Sequence, residues 1–292
     1  MKKMLSTTGI LLFFIAALLS GCAKQNDGSD DDETTPTTNC KLTGQTTGDL
    51  YSNSQHYSLE YDANGNPSKI TIPSGSTQIT ETIEPTKMVF KETSGSVNRY
   101  ISYPGSYLDK QPASAVVGSD NSANIIPFAF TYESNGKIAT VKKGPGNPSG
   151  VMDDSQAIVI RITYDDNKDV STIVYHANYL PDVADRDYAT LVATGYDDHP
   201  SPYSGLKNGV FLQFTFHWED TGLDNPRYIF DQLSTHNVLG YTLTYHNSGG
   251  IAETFTYQYN DKGLPIHRDA SLGSIGQTPT KKYYDEWEYD CQ

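Results

Sequence analysis

Basic residues are scarce in this sequence. Its 292 residues include 21 Lys and Arg against 35 Asp and Glu, which gives a formal net charge of −14. Proteins neutralise the phosphates of nucleic acids with basic patches, so the acidic balance disfavours a nucleic-acid partner. It does not discriminate among most other ligands.

The motifs that mark common catalytic and cofactor sites are also absent. The sequence has no His-Glu-x-x-His, no cysteine pair at zinc spacing, no Gly-Lys-Ser phosphate loop and no Gly-x-Ser-x-Gly elbow. The seven histidines are scattered at positions 56, 176, 199, 217, 236, 246 and 267. We therefore predict no cofactor, no metal and no catalytic residue, and a role other than that of an enzyme.

The one long apolar run lies at the start of the chain. Lys2 and Lys3 precede an apolar run at residues 9–19, which continues into Leu-Ser-Gly-Cys ending at Cys22. These are the three parts of a secretory signal. The last four residues resemble the lipobox of bacterial lipoproteins, which implies a signal peptide at residues 1–21 and a lipid anchor on Cys22. The alternative is a transmembrane anchor, although the run is shorter than the ~20 residues that span a bilayer.

Large apolar residues are missing from the segment that follows. Residues 23–39 contain five acidic residues among Ser, Thr, Gly and Pro, and such a segment cannot bury a core. We predict a disordered acidic tether at residues 22–39 that is extended by self-repulsion. Residues 29–33 also resemble the acidic export signal of some Gram-negative lipoproteins. We therefore expect an outer-membrane location, with the cell surface favoured over the periplasmic face.

Cysteines are few. Once Cys22 is acylated, only Cys40 and Cys291 remain, one at each end of the folded region. An even pair in an oxidising compartment predicts a disulfide, which would stabilise the domain by roughly 5 kcal/mol at most. Two unpaired thiols are the alternative, because the sequence does not show that the ends meet.

Turn-forming and aromatic residues are abundant. The chain contains 24 Gly, 15 Pro and 21 Tyr, and its mean hydropathy is −0.52. This composition is typical of a water-soluble, turn-rich β protein. The length that remains after the tether is ordinary for one sandwich or barrel, so residues 40–292 are predicted to form a single all-β domain.

Tyrosine-led polar turns recur along this domain. Residues 252–268 predict a β-hairpin, because apolar and polar residues alternate before the turn and Asn, Asp and Gly favour a tight reversal. The repeat turns are Tyr61-Asp62-x-x-Gly65, Tyr132-Glu133-x-x-Gly136, Tyr164-Asp165 without the glycine, and Tyr259-Asn260-x-x-Gly263. The position nine after the tyrosine is Ile70, Val141, Ile173 and, as the exception, Arg268. Their irregular spacing favours an antiparallel meander over a solenoid.

Alternating segments at short intervals predict an antiparallel sheet with one wet face. We expect an all-β antiparallel meander curled into a soluble roll or barrel-like sheet. Long loops are predicted at residues 104–124, 143–155 and 181–205. Short helices are predicted at residues 185–194 and 228–234. A transmembrane barrel is disfavoured, because many strands are short and carry charge on the second face. The predicted strands are residues 55–61, 69–72, 78–83, 88–93, 98–103, 125–132, 138–142, 157–164, 171–177, 210–218, 238–245, 252–259 and 281–289.

The turns resemble the YD or RHS-type repeats of bacterial surface proteins. The more specific block consists of residues 196–203, Asn237-Val238 and residues 259–265. Together these look like a family of bacterial lipoproteins that carry a domain of unknown function described as porin-like in fold. The resemblance implies a long rolled antiparallel sheet and supplies no catalytic residues.

One turn also has a weak calcium pattern. Asp165, Asn167 and Asp169 occupy the first, third and fifth positions of a calcium-type loop, but Val170 and His176 stand where glycine and glutamate are needed. A polar hairpin turn accounts better for these residues.

Two tryptophans and two glutamates near the strands are further candidates. Trp218 and Trp287 share their faces with other aromatic residues, which favours a place in the core over a sugar-stacking platform. Glu286 and Glu288 flank Trp287 on the polar face, ~7 Å apart, which is compatible with a glycosidase pair. A solvated strand face is the simpler explanation.

The sequence thus predicts a lipid-anchored envelope protein that binds an extracellular glycan or protein through its loops. A structural or assembly subunit of an outer-membrane complex is the alternative, followed by a glycan-directed hydrolase.

Overall fold

The structure of the protein is a computed structural model. The predicted signal peptide, Cys22, the tether and the strand at 210–218 lie outside the described residues, so those predictions stand as made. The residues described fall within one compact unit, Thr38–Gln292. They are residues 40–49, 54–74, 77–84, 86–92, 98–104, 111–119, 125–146, 150–177, 187–204, 206, 227–246 and 248–291.

The described part of the chain is built almost wholly of β-strands. One short helix, α1 (Arg227–Leu233), and one 3-10 turn (Asp154–Gln156) accompany them. The strands are β1 (Cys40–Asp49), β2 (Gln55–Tyr61), β3 (Pro67–Ser74), β4 (Thr77–Glu84), β5 (Lys87–Glu92), β6 (Asn98–Ser102), β7 (Ser114–Ser119), β8 (Ile126–Tyr132), β9 (Ile138–Lys143), β10 (Ile158–Tyr164), β11 (Val170–Ala177), β12 (Asp187–Pro200), β13 (His236–Tyr245), β14 (Gly250–Tyr259), β15 (Pro265–Ser274) and β16 (Lys281–Cys291).

The strands form one antiparallel meander. Each described strand pairs with the next one along the chain, and β1 pairs in turn with β16, so the hydrogen-bonded order closes on itself. The prediction of an all-β meander with a barrel-like sheet is therefore confirmed. Closure also leaves no free strand edge in this order, and free edges are templates for aggregation.

Two predicted loops contain strands. β12 lies inside the predicted loop at 181–205, so the helix predicted at 185–194 is wrong. The Ala, Leu and Thr residues there are compatible with a helix, but pairing with β11 on one side and β13 on the other decides for a strand. β7 likewise lies inside the predicted loop at 104–124. β1 was not predicted, whereas the helix predicted at 228–234 is confirmed as α1.

The disulfide joins the first strand to the last. Cys40 and Cys291 are direct cross-strand partners, with Cα atoms 4.0 Å apart, and their sulfurs are bonded. The predicted pairing is confirmed. Both ends of the domain therefore lie at one end of the sheet, which is also the end that carries the tyrosine-led turns.

The four repeat turns share one backbone arrangement. In the first, Asp62 N donates to Asn66 O at 2.8 Å and Gly65 N donates to Asp62 O at 3.0 Å. The other three repeat both bonds at the equivalent positions. In each turn, the residue three positions after the acidic or amide residue has a positive φ. These residues are Gly65, Gly136, Lys168 and Gly263. Lys168 is the one of the four that is not glycine, and only glycine adopts this region without a Cβ clash.

Replacing Lys168 with glycine is expected to raise the free energy of unfolding by about 0.5–1 kcal/mol. Its φ of 66° costs roughly 1–2 kcal/mol for a residue with a Cβ, and the greater freedom of glycine in the unfolded chain offsets part of the gain. Urea denaturation measures the change. Lys168→Ala is the matched control, since it removes the charge but keeps the Cβ. An equal gain in both variants would contradict the backbone explanation.

A series of tyrosine hydroxyls joins neighbouring strands near the turn end. In six of the described strands, a partly buried tyrosine donates to a backbone carbonyl on or just before the preceding strand, at 2.6–3.0 Å. Burial raises the pKa of Tyr61 and of Tyr132 to about 12, so these hydroxyls stay protonated donors. The pairs are Tyr61 to Leu42, Tyr132 to Pro112, Tyr164 to Ile138, Tyr196 to Val170, Tyr257 to Val238 and Tyr289 to Pro265.

Tyr259 departs from this series. In its hairpin the bond to the preceding strand comes from Tyr257, two residues earlier, while the hydroxyl of Tyr259 donates to the carboxylate of Asp197. The ring of His199 stacks on Tyr259 with a centroid separation of 3.9 Å. The fourth turn is therefore fastened to the end of β12 by side chains.

Candidate functional site: a buried ion cluster inside the sheet

Helix α1 lies inside the closed sheet. A closed sheet of this many strands leaves more room than side chains alone fill. Ile229 and Phe230 are completely buried, and the ring of Phe230 stacks on Tyr241 of β13 at 5.3 Å. The helix thus occupies interior space and presents its polar residues to the inner faces of the last strands.

Arg268 is the centre of the polar contacts in this interior. Its guanidinium donates through Nη1 to both carboxylate oxygens of Asp231 in α1, at 2.8 and 2.7 Å. It also donates through Nε and Nη2 to Oδ2 of Asp285 in β16, at 3.0 and 2.7 Å. Arg268 is 0% exposed. A planar guanidinium suits such two-sided recognition, and here it joins α1 to β15 and β16.

A second arginine extends the cluster toward β14. Nη1 of Arg227, the first residue of α1, lies 3.5 Å from Oε1 of Glu253, and its Nε lies 4.0 Å from Oδ2 of Asp285. The hydroxyl of Tyr241 donates to the other oxygen of Glu253. Two arginines therefore face three carboxylates, all of them buried.

Aromatic rings enclose the Arg268 guanidinium. Its Cζ lies 4.7 Å from the ring centroid of Phe255, 5.2 Å from Trp287 and 5.8 Å from Tyr257. Such cation–π contacts gain strength when water is excluded. Trp287 is buried as predicted, and its ring contacts the guanidinium of Arg268.

The cluster reaches β1 through neutral groups. Gln45 Nε2 donates to Asp285 Oδ1 at 3.4 Å, and Gln45 Oε1 accepts from the hydroxyl of Tyr203. Tyr203 follows β12, yet Trp287 Nε1 of β16 also donates to its hydroxyl at 3.4 Å. Tyr203, three residues after β12, therefore contacts both members of the closing pair of strands.

The C-terminal end of α1 is fastened to two of the repeat turns. Lys137 Nζ donates to the carbonyl of Leu233 at 2.8 Å, and burial lowers the pKa of Lys137. Asp169 Oδ1 accepts from the backbone N–H groups of Thr235 and His236 at 2.7 and 2.8 Å. Its Oδ2 lies 2.7 Å from His236 Nδ1. These contacts hold the segment that leads from α1 into β13.

Burial and ion pairing act in opposite directions on the two aspartates. Burial raises the pKa of Asp231 to about 6, although Arg268 partly opposes the rise. Burial alone would also raise the pKa of Asp285, but Arg268 and Arg227 outweigh it and hold that pKa below its usual value. Burial disfavours the charged form of Arg268, yet Asp231, Tyr257 and Asp285 outweigh it and raise the pKa.

The raised pKa of Asp231 predicts a pH dependence of stability. Between pH 3.8 and about 6 the folded protein binds more protons at this carboxyl than the unfolded chain does. The contribution of Asp231 to the free energy of unfolding therefore falls as pH rises through this window. Urea denaturation across the window measures it. Asp231→Asn should lack this component, and a variant with the wild-type pH profile would contradict the assignment.

The weak calcium pattern is explained by hydrogen bonds within the fold. Asp165 Oδ1 accepts from the N–H groups of Asn167 and Asp169, each at 2.9 Å, while both oxygens of Asp169 face the segment after α1. Within the described residues, no group of three or more His, Cys, Asp or Glu side chains is placed to hold a metal ion. In the same part of the chain, no helix has the length and hydrophobicity to cross a membrane.

The other sequence candidates are dispersed. Glu286 and Glu288 lie on the outer face, away from the ion cluster, and His217 and Trp218 lie outside the described residues. Cys22 is outside them as well. The structure thus gathers the repeat turns and the Cys40–Cys291 bond at one end of the sheet and brings no predicted glutamate pair to the interior.

Sequence reasoning missed the ion cluster, although a signal for it was present. The position nine after the turn tyrosine is fully buried in all four hairpins. Three of these residues are apolar, and the fourth is Arg268. A charged residue at a repeated core position requires a buried partner, so Arg268 was the sequence signal for this site. Its partners Asp231 and Asp285 had no local signature in the sequence.

Comparison with known proteins supports the fold. No family model matches the chain, and no curated protein matches it. The chain resembles the crystal structure of a porin-like protein from Bacteroides uniformis ATCC 8492, with 11% identity and a TM-score of 0.55 over 87% of this chain and 98% of that one. A porin-like protein from Bacteroides vulgatus ATCC 8482 matches with 12% identity and a TM-score of 0.47 over 85% and 98%. The match to the Bacteroides uniformis protein confirms, at the level of the fold, the porin-like resemblance predicted from the sequence.

Proposed function

We propose that the protein is a lipid-anchored envelope lipoprotein of the YD-repeat type whose domain binds an extracellular glycan or protein on its surface, without catalysis. The observation that carries the proposal is the position of α1 inside the closed sheet, where Arg268 and Arg227 bind it to β14, β15 and β16. A domain whose interior is occupied and ion-paired offers its outer surface and connecting segments to a partner.

The charges on the outer surface support contact with water. Lys69 pairs with Glu60 of the neighbouring strand at 2.5 Å, and Arg161 pairs with Asp187 at 3.2 Å. Arg and Lys facing lipid near the middle of a bilayer cost about 2–4 kcal/mol each. Outward-facing pairs of this kind favour a domain that lies outside the membrane.

The closing pair of strands contains the point at which the predicted tether joins the domain. The tether, residues 22–39, is followed by Cys40, which lies at the turn end of the sheet. The lipid anchor is proposed on Cys22, at the other end of this tether. Several acyl chains on one residue provide durable attachment, because each buried CH₂ contributes about 0.8 kcal/mol.

Binding is tested with the chain that lacks residues 1–21 and carries Cys22→Ser. Glycan and protein arrays should each be probed with this chain, and a reproducible ligand on either supports the proposal. An absence of ligands on both, together with a stable complex recovered from the native envelope, would favour an assembly subunit over a stand-alone binding domain.

Anchoring is tested separately with the full chain. Cys22→Ser should release the protein from the membrane fraction, because the acylated residue is lost. Replacement of a tether residue such as Ser29 with alanine is the matched control and should leave the protein bound. Retention of the Cys22→Ser protein in membranes would reject the lipid anchor.

A further inference from the structure

A tyrosine ring lies flat on the outer face of the sheet where β1 and β16 pair. Tyr284 is the cross-strand partner of Gly48. A Cβ on Gly48 would lie 2.9 Å from Cε1, Cζ and Oη of Tyr284, so the ring rests directly on the glycine backbone. One face of the ring therefore covers the strand, and the other is directed away from it.

Polar groups of β15 and β16 surround this ring. The imidazole of His267 is nearly parallel to it, with an interplanar angle of 14° and centroids 6.1 Å apart. His267 Nε2 lies 3.4 Å from Asp269 Oδ1, and its Nδ1 lies 3.6 Å from Glu286 Oε1. The carboxylates of Asp269 and Glu286 remain 64% and 53% exposed. The result is an aromatic platform bordered by accessible hydrogen-bonding groups.

The platform continues along β1 because that strand carries small residues on its outer face. A Cβ on Gly44 would lie 2.8 Å from Glu288 Oε2 and 3.1 Å from His56 Cε1. Thr46, between the two glycines, is hydrogen-bonded to His56 at 3.0 Å. Lys282 lies two residues before Tyr284 on the same exposed face. Carboxylates still predominate beside the ring.

The sheet contains a second tyrosine over a glycine, and it differs in one respect. Tyr100 pairs with Gly118, where a Cβ would lie 2.9 Å from its Oη and 3.0 Å from its Cζ. Lys87 Nζ lies 4.4 Å from the centroid of the Tyr100 ring. Tyr100 thus has the same relation to the backbone but carries a cation over its ring, whereas hydrogen-bonding groups border Tyr284.

We propose that Tyr284, together with His267, Asp269 and Glu286, is a binding site for a pyranose unit of an uncharged polysaccharide. The apolar face of a sugar ring packs against an aromatic face. Carboxylates accept hydrogen bonds from the sugar hydroxyls, and a neutral imidazole can both donate a hydrogen bond to a hydroxyl and accept one from it. The acidic surroundings and the net charge of −14 disfavour polyanionic glycans. This inference rests on the proposed binding function and specifies its ligand class and its site.

A purely structural role for Tyr284 is the competing explanation, since aromatic rings stabilise sheet glycines by covering them. Tyr284→Ala and Tyr100→Ala remove the same kind of cover and should lower the midpoint of thermal unfolding by similar amounts. Of these two variants, only Tyr284→Ala should also weaken glycan binding. Tyr284→Phe keeps the ring and should retain most of the affinity, and Gly48→Ala should weaken binding by displacing the ring.

The probes are a soluble β-glucan, a galactomannan and an α-glucan. Polygalacturonate and chitosan are the anionic and cationic comparisons. Each is titrated calorimetrically into the chain that lacks residues 1–21 and carries Cys22→Ser. Tyr284→Ala is expected to weaken binding of an uncharged probe about tenfold or more, and Tyr100→Ala to leave it unchanged. Unchanged affinity in Tyr284→Ala would overturn this site while the binding function stands. Binding of chitosan alone, abolished by salt, would overturn the site in favour of charge attraction. No binding of any glycan or protein would overturn the proposed function as well.

Discussion

Replacing Arg268 with methionine is expected to lower the free energy of unfolding by about 3–5 kcal/mol. The substitution leaves Asp231 and Asp285 buried without the guanidinium that both now bind. Removing one partner of a buried ion pair is costly because the charge that remains is shielded from water and has lost its closest counterion. Urea denaturation followed by circular dichroism measures the loss, and the exposed pair of Arg161 and Asp187 supplies the control.

Arg161→Met should cost less than about 1 kcal/mol. Its partner Asp187 is 45% exposed and Arg161 itself 49%, so water replaces the lost interaction. Combining Arg268→Met with Asp231→Asn and Asp285→Asn should recover part of the stability, since no charge is then left unpaired. Equal losses in Arg268→Met and Arg161→Met would contradict a buried cluster.

Loss of the disulfide has the second largest expected effect. Replacing Cys40 and Cys291 together with serine should lower the free energy of unfolding by about 2–5 kcal/mol. The bond spans 251 residues, so it restricts nearly the whole unfolded domain. The pairing of β1 with β16 also supplies backbone hydrogen bonds, and the folded sheet should survive the substitution with its strand content intact.

Reduction of the wild-type protein is the matched control for this substitution. It should lower stability by the same amount and increase the intact mass by two hydrogen atoms. The double serine variant should show neither change. A wild-type mass that is unaffected by reductant would show that the thiols are unpaired and would contradict the structure.

Much of the meander could be predicted because hairpins are local. In the turn after β2, Asp62 accepts from the N–H groups of Asn64 and Asn66 at 2.9 and 2.8 Å. Asn260 makes the same pair of bonds in the turn after β14. The hydrogen-bonding side chain and the glycine with positive φ both lie within five residues of each turn. The local sequence was therefore sufficient to predict these turns.

The strand that was predicted as a helix shows the limit of local signals. Residues 187–200 carry no decisive periodicity, and long-range pairing with β11 and β13 determines their conformation. The same limit applies to β1, whose two glycines are weak strand formers. It becomes a strand because β16 and β2 lie on either side of it.

The sequence by itself determined the tyrosine-led turns, the order of most strands and the availability of one cysteine pair, because each depends on residues close together in the chain or on simple composition. Only the tertiary structure decided that β1 meets β16, that α1 lies inside the sheet and that Arg268 is buried between Asp231 and Asp285. These features join residues that are far apart in sequence. Their stability comes from burial and charge pairing, which exist only after the sheet has closed around them.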